Sequence, residues 1–265
     1  SLFRDAAEAF LLVEGWLIMT AKAPPRRRLA ALCQMMGSGR RAIREEHSMP
    51  DIAAMEPLPA EQLTRSSLDA LGTRLAERAW ATGLRAWSWG EGTFLLGSIY
   101  FADALGEPFP ARVLDYLDRH IGPGVTVRHV NDLAPGAAAV LASRATGERR
   151  YLDLVTPLVD WLRTDPAATR TSDGGLEHWP GSVWADTAFM AGVFMGHLGA
   201  ATHDPEWLIE FGRQLVVHAQ VLQDPESGLY AHGSYRGETM HCYWGRGNAW
   251  CALASVEFLE LSSAA

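Results

Sequence analysis

The residue best placed to transfer a proton is Asp186, in the segment VWADTAFMAG. It stands one turn into a predominantly apolar helix, close to Trp184 and Phe189. If that helix lines an interior, the carboxyl is poorly solvated, and desolvation raises a carboxyl pKa and suits the group to deliver a proton. An aspartate at a helix start is also common as a cap that favours the helix dipole. We favour the catalytic interpretation.

Two histidines stand in glycine-rich loops beside aromatic residues. His178 lies in GGLEHWPG and His232 in GLYAHGSY. Histidines in surface loops are usually uninvolved in function, but here both loops are predicted to open toward the same mouth as Asp186. We therefore include both in the candidate site.

The segment WGRGNAW, residues 244–250, combines aromatic surface with one cation, Arg246. A turn needs only Gly, Asn, Asp or Ser, so the tryptophans and the arginine exceed what a turn requires. The planar fork of an arginine binds a carboxylate at two points. Trp89, Trp184 and Trp244 have the flat faces that stack on a sugar ring, although buried core tryptophans would look the same in sequence.

Metal and cofactor sites are not predicted. The three cysteines, Cys33, Cys242 and Cys251, are too few and odd in number for a disulfide framework, which favours a reducing compartment. His241 is adjacent to Cys242, but adjacent side chains point apart, and neither CxxC nor HxxxH spacing occurs here.

Composition restricts the partners. The 265 residues are 48% hydrophobic, with a net charge of −8 and a pI near 5.6, which provides no basic field for nucleic acid or an anionic membrane. No apolar stretch approaches the ~20 residues that a membrane span needs. The N-terminal apolar run is interrupted by Glu14 and is interpreted as a helix, not a signal peptide. A cytoplasmic protein is predicted, and a secreted form whose leader preceded residue 1 stays open.

From about residue 60 the sequence predicts helices separated by Pro, Gly and Asp, without convincing strand alternation. Short breaks such as GEPFP, TGER and THDP are typical of antiparallel hairpins. Three longer connections, residues 120–136, 164–186 and 223–248, contain five of the nine His residues together with several Trp and Gly residues. The predicted helices are residues 60–82, 90–105, 109–120, 133–146, 149–163, 185–201, 205–222 and 247–261.

Each long connection leads into the first helix of the next hairpin, a repeat of about 40–60 residues. The helix starts marked by WSWGEG, HVNDLAPG, WADTAFM and WGRGNAW are therefore expected at one end of the molecule. Such hairpins stack as an open solenoid or close into an α/α toroid, and a shared mouth favours the toroid. Small residues fit crowded inner helices: Gly92, Gly97, Gly136, Ala191 and Gly192.

The N-terminal residues 1–57 do not continue the repeat. They are predicted to form an extension with one long helix near residues 2–20, whose apolar face packs on the barrel. The arginines of PPRRR are expected to be solvated. Residues 58–265 form the predicted toroid domain.

In order and character, the segments WSWGEGTFLLG, HVNDLAPG, TGERRYLD, WADTAFMAG, SGLYAHG and YWGRGNAW resemble the unsaturated glucuronyl and rhamnogalacturonyl hydrolases of glycoside hydrolase families 88 and 105, most closely 105. The resemblance covers residues ~60–262. It implies an all-α fold, an (α/α)6 barrel. It also implies an enzyme that takes a 4,5-unsaturated uronic acid from the end of lyase-generated oligosaccharides by hydrating its vinyl ether.

The resemblance also assigns roles to residues. It places the aspartate that protonates C4 and helps water add at C5 at Asp186. The family's second acidic position falls on Asn131 or Asp132, of which we prefer Asp132. Substrate-binding roles fall on Trp89, Asp132, His178, Trp184, Met190, His232, Trp244 and Arg246.

The sequence ends about two helical hairpins short of the family's barrel. The toroid is therefore expected to be incomplete, with inner surfaces meeting water or another subunit, so a homo-oligomer is one expectation. The alternative functions are a non-catalytic carbohydrate-binding remnant of the family, or another α/α-toroid protein such as a sugar epimerase or a zinc lanthionine cyclase.

Overall fold

A computed structural model describes residues 64–264 of the chain. The predicted N-terminal extension, with its helix near residues 2–20, lies outside these residues. In the part of the chain from 64 to 264, no helix is both long and apolar enough to cross a membrane.

Helices joined by turns dominate the described chain. The helices are α1 (Arg65–Ala81), α2 (Trp89–Leu105), α3 (Ala111–Ile121), α4 (Ala134–Thr146), α5 (Arg149–Asp153), α6 (Thr156–Thr164), α7 (Ala185–Met190), α8 (Gly192–Thr202), α9 (Pro205–Leu222) and α10 (Gly245–Ser263). A 3₁₀ helix, Val130–Leu133, leads into α4, and the strands are β1 (Ser182–Trp184), β2 (Gly233–Tyr235) and β3 (Glu238–Met240).

The helices form an inner and an outer layer. In the inner layer α2 packs against α4, α4 against α8, and α7 and α8 against α10. The inner helices α4 and α8 are buried almost all round, whereas α3 and α9 each bury one face. A helix that is apolar on every side needs neighbours on every side, which explains why these apolar segments lie inside.

Small residues let the inner helices approach closely. A Cβ on Gly92 would lie 2.5 Å from the backbone of Ala134, and one on Gly136 would lie 2.6 Å from Leu158 and Phe194. A Cβ on Gly192 would overlap the ring of Phe211. The predicted crowding is confirmed at these three positions. It is wrong for Gly97, which is exposed and faces open space.

The predicted helix 149–163 is divided into α5 and α6. Pro157 lies in the first turn of α6. A proline has no N–H, and its ring clashes with the carbonyl four residues earlier, so a continuous helix cannot pass through it. The predicted helix 185–201 is likewise divided at Ala191, between α7 and α8.

The prediction of no strands is also wrong, because a small antiparallel sheet has the order β1-β2-β3. Ser182 pairs with Tyr235 and Gly233 with Met240. Each strand is three residues long, too short for an alternating pattern to emerge in the sequence. Strand β1 runs directly into α7, so the sheet fixes where that helix begins.

Candidate active site

Asp186 is the second residue of α7 and is half-buried at the junction with β1. The backbone N–H of Ala185 donates to the carbonyl of His232 (3.1 Å), which ties the helix start to the loop before β2. Asp186 and His232 therefore lie next to each other although they are far apart in the sequence.

The environment of Asp186 raises its pKa. Burial is the main cause, and it outweighs the opposing effects of His232, the residue's own backbone N–H, Arg246 and Trp250. The Trp250 indole lies near the carboxyl without meeting hydrogen-bond geometry. Among residues 64–264, Asp186 Oδ2 and Trp250 Nε1 are buried and have no hydrogen-bond partner. A carboxyl in this setting keeps its proton to higher pH than an exposed one.

Both predicted histidines lie beside this carboxyl or its helix, and burial lowers the pKa of each. Burial is the main cause that lowers the pKa of His178, to about 3. The His178 Nδ1 lies 3.0 Å from the hydroxyl of Thr187, in the same short helix as Asp186. Burial also lowers the pKa of His232, and Arg246 lowers it further, while Asp186 opposes them. Arg246 is the fixed cation that acts on both Asp186 and His232.

Aromatic rings form a continuous arc around the site. His178 stacks on Trp184 with centroids 4.6 Å apart and ring planes within 5°. Trp184 is 4.8 Å from His232, and His232 is 4.9 Å from Trp244. Two of the long connections, residues 164–186 and 223–248, thus contribute to one surface.

Three residues of WGRGNAW, Arg246, Gly247 and Asn248, have distinct roles. The Arg246 guanidinium lies over the Trp244 ring, 4.0 Å from its centroid. Gly247 is needed because a methyl group there would overlap the indole of Trp244. Asn248 fixes the neighbouring loop: its side chain accepts from the backbone N–H of Tyr230 (2.8 Å) and donates to the Tyr230 carbonyl (3.0 Å).

The other three predicted site residues, Trp89, Met190 and Asp132, are not among the rings of this arc. Trp89 begins α2 with 41% of its surface exposed, whereas Met190 is 1% exposed within the main core. Asp132 is buried, and its carboxylate accepts from the backbone N–H of Arg128 (2.9 Å). The Asp132 carbonyl accepts from the Trp87 indole (2.8 Å), which links the start of α2 to the start of α4.

Several residues near the site were not predicted from the sequence. Thr187 and Trp250 flank Asp186, and Asn248 positions the His232 loop, as described above. His129 and Trp179 extend the aromatic arc beyond His178, with their centroids 4.6 Å apart. Trp179 follows His178 directly in the sequence. An aromatic residue next to a candidate histidine was a signal from which Trp179 could have been predicted to belong to the site. Within residues 64–264, no three His, Cys, Asp or Glu side chains are grouped so as to hold a metal ion.

Comparison with known proteins gives a consistent result. A family model of Glycosyl Hydrolase Family 88 matches residues 71–262. The Unsaturated rhamnogalacturonyl hydrolase YesR of Bacillus subtilis (strain 168) is 28% identical over 188 residues, which are 66% of this chain and 54% of YesR. The chain therefore spans about half the length of this relative.

Solved structures share the fold. A possible member of the GH105 family from Salmonella enterica has a TM-score of 0.67 at 23% identity, and one from Klebsiella pneumoniae has 0.66 at 24%. Each match covers 84% of this chain and 65% of the other chain. A family 105 glycoside hydrolase of C. acetobutylicum has a TM-score of 0.57 at 16% identity, covering 72% of this chain and 59% of its own.

The predicted fold class, an all-α toroid of antiparallel helical hairpins, is confirmed by these structures. The predicted family resemblance is confirmed by the family match, which covers well over half of the chain and includes every predicted site residue. The chain belongs to Glycosyl Hydrolase Family 88.

Proposed function

We propose that this protein removes a 4,5-unsaturated uronic acid from the non-reducing end of lyase-generated oligosaccharides by hydrating its vinyl ether. The observation that carries the proposal is Asp186: a half-buried carboxyl with a raised pKa, next to a cation and surrounded by aromatic rings. Membership in Family 88 supports the reaction class, and the name of YesR supports the unsaturated substrate.

The site offers complementary groups for such a ring. An unsaturated uronate is flat near its double bond and carries a carboxylate. Trp184 and Trp244, both half-buried, offer aromatic surface to the flat ring on the sides that His178 and Arg246 do not cover. Arg246 is exposed, and within the described residues it forms no ion pair, so its fork is available to the carboxylate.

The proposed reaction needs one proton donor that becomes a base. Neutral Asp186 donates its proton to C4, and the resulting carboxylate takes a proton from the water whose oxygen adds to C5. Water is thereby added across the double bond and Asp186 is regenerated. The C5 hemiketal opens, and the hemiacetal left at C1 then releases the next sugar.

The proposed hydration needs a single acid/base group, which distinguishes it from ordinary glycoside hydrolysis. Ordinary glycosidases flank the bond with two carboxyl groups about 5–9.5 Å apart. Among the described groups, those that shift the pKa of Asp186 are His232, Arg246, Trp250 and its own backbone, and none is a carboxylate. The Asp132 carboxylate is engaged by the Arg128 backbone.

A matched pair of disaccharides tests the proposal. One carries the C4=C5 double bond left by a polysaccharide lyase, and the other is its saturated counterpart. We expect the unsaturated substrate to lose its ultraviolet absorbance while the second sugar is released, and the saturated one to stay intact. Binding without turnover would support the non-catalytic alternative, and equal turnover of both substrates would contradict hydration of a double bond.

A further inference from the structure

An open cavity lies on the outer side of the helical layers, between the end of α1, the loop of residues 82–88 and helix α3. Its volume is about 640 Å³, which is within the range of small-molecule binding sites. The residues that line it are neither rings of the aromatic arc nor groups that shift the pKa of Asp186. The cavity is therefore distinct from the candidate active site.

Three arginines line this cavity, which we call the arginine cleft: Arg85, Arg112 and Arg119. Arg112 and Arg119 are about two helical turns apart in α3, so they lie on the same face of that helix. Arg85 comes from the loop of residues 82–88. The chain carries a net charge of −8, so a cluster of three cations is a local exception that attracts anions.

The protein itself engages these arginines only in part. Arg112 Nη1 lies 3.0 Å from Glu77 Oε1, but both side chains are more than half exposed, and such surface pairs contribute about 0–1 kcal/mol. Arg119 donates from Nη2 to the Leu84 carbonyl (3.2 Å), which uses one of its donors. Within residues 64–264, Arg85 forms no ion pair.

Helix stability does not account for the cluster. A cation is favourable in the last turn of a helix, where Arg119 stands in α3. Arg112, however, is the second residue of α3, where the helix dipole disfavours a cation, and Arg85 lies outside any helix. Two of the three arginines thus lack a role in stabilising the helix ends.

The loop that forms one wall of the cleft is held in place. The Ala86 N–H donates to the Glu91 carboxylate (3.2 Å), and the Ala86 carbonyl accepts from the Tyr116 hydroxyl. The hydrogen bond from Arg119 to Leu84 ties the same loop to α3. Binding a ligand here therefore costs little ordering of the loop.

The rest of the lining favours one kind of anion. Trp80 and Leu84 are half-buried and supply apolar surface, whereas Asp115 supplies an exposed carboxylate. A carboxylate repels a small anion such as phosphate, but it accepts hydrogen bonds from hydroxyl groups. A ligand that matches all three kinds of group has carboxylates, hydroxyl groups and apolar C–H faces, which is the chemistry of a uronate oligosaccharide.

The arginine cleft lies at the same end of the molecule as the mouth of the candidate site. Residues 82–88 lead directly into Trp89, the first residue of α2. The Trp87 ring lies 5.1 Å from that of His120 in the last turn of α3, and its indole donates to the Asp132 carbonyl (2.8 Å) just before α4. The cleft therefore flanks the starts of two inner helices.

We propose that the arginine cleft is a second carbohydrate-binding site, which holds an acidic stretch of an oligosaccharide through its uronate carboxylates. Arg85, Arg112 and Arg119 bind the carboxylates, and Trp80 offers aromatic surface to a sugar ring. The inference goes beyond the proposed function, because binding in this cleft needs neither a double bond in the ligand nor the carboxyl of Asp186.

The probe is a saturated tetramer of galacturonate, which carries carboxylates and no double bond. Arg85→Gln and Arg112→Gln each remove one cation from the cleft. The matched control is Arg144→Gln, because Arg144 is also exposed and, within the described residues, forms no ion pair. Arg246→Lys reports on the inner site, and titration calorimetry measures binding.

We expect each cleft variant to bind the tetramer about tenfold more weakly than wild type, because each loses a charge-assisted hydrogen bond. Arg144→Gln and Arg246→Lys should bind it within about twofold of wild type. Inorganic phosphate and a neutral tetramer of glucose should bind far more weakly than the uronate tetramer. Turnover of the unsaturated disaccharide by the cleft variants should equal that of wild type.

Three results would overturn the inference. One is that wild type does not bind the tetramer, and another is that the cleft variants bind it as tightly as Arg144→Gln does. The third is that phosphate binds as tightly as the tetramer and depends equally on Arg85, which would make the cleft a general anion site. Turnover of the unsaturated disaccharide by wild type tests the proposed function separately, so the two failures are distinguishable.

Discussion

At the scale of single residues, the protonation of Asp186 is set by opposing effects. Burial disfavours the carboxylate, whereas His232 and Arg246 favour it, and burial prevails. The pKa is thus raised in a site that still contains a cation. This balance suits a group that must hold a proton, release it and take one back.

Arg246 should bind the substrate carboxylate and contribute little to folding. Arg246→Lys keeps the charge but loses the planar fork, so we expect substrate affinity to fall by about 1–3 kcal/mol while Tm barely changes. Titration calorimetry and thermal unfolding would measure the two effects.

The matched control for this change is Arg236→Lys. Arg236 also lies over an aromatic ring, that of Tyr235, with 5.1 Å between its guanidinium carbon and the ring centroid. It should show no loss of affinity. A large drop in Tm for Arg246→Lys with unchanged affinity would identify Arg246 as a structural residue.

At the scale of elements, three short segments hold the site together. Strand β1 sets the start of α7, the loop before β2 meets that start through His232, and Asn248 in α10 fixes the same loop at Tyr230. Each contact joins segments distant in sequence. The geometry of the site therefore depends on loops anchored to the inner helices.

Asn248→Ala should loosen the loop that carries His232. The change leaves the backbone N–H and C=O of Tyr230 without their side-chain partner, and we expect the free energy of unfolding to fall by about 1–3 kcal/mol. Turnover should fall as well, because His232 is no longer held beside Asp186. Denaturant unfolding and the disaccharide assay would measure the two effects.

Gln223→Ala is the control for this loop. The Gln223 side chain donates to the Gly228 carbonyl (3.0 Å) at an exposed position, so its removal should change stability by less than about 0.5 kcal/mol. Equal effects of the two substitutions would show that Asn248 has no special role in positioning the loop.

The sequence predicted elements better than contacts between them. The helix starts were predictable because aromatic and glycine clusters interrupt apolar periodicity. The break before Pro157 was missed, although the missing N–H of a proline is a signal that the sequence carries. The strands were not predictable, since three residues carry no alternation. The pairing of His129 with Trp179 depends on how two distant loops meet, which no local pattern encodes.

At the scale of the whole molecule, two buried neutral histidines make folding sensitive to acid. Burial lowers the pKa of His178 to about 3 and that of His218 to about 4, from 6.5 in the unfolded chain. A depressed histidine pKa means that the unfolded chain binds the proton more tightly. The stability contribution of each group is present above pH 6.5 and is lost as pH falls toward the folded value.

His218→Gln should reduce this sensitivity. The glutamine cannot take up a proton, so between pH 7 and pH 5 the wild type should lose on the order of 1–2 kcal/mol more unfolding free energy than the variant. Urea unfolding at the two pH values measures the difference. Parallel losses in the two proteins would show that His218 does not titrate on unfolding.

The central claim is that Asp186 is the proton donor and the water-activating base. The direct measurement is the rate at which an unsaturated disaccharide loses the absorbance of its C4=C5 bond, compared between wild type and Asp186→Asn, with substrate binding and Tm recorded for both. We expect the variant to bind substrate, to melt no lower than wild type at neutral pH because a poorly solvated charge is gone, and to turn over at least about a hundredfold more slowly. Comparable turnover by an Asp186→Asn protein that binds substrate would reduce Asp186 to a helix cap and contradict the proposed mechanism.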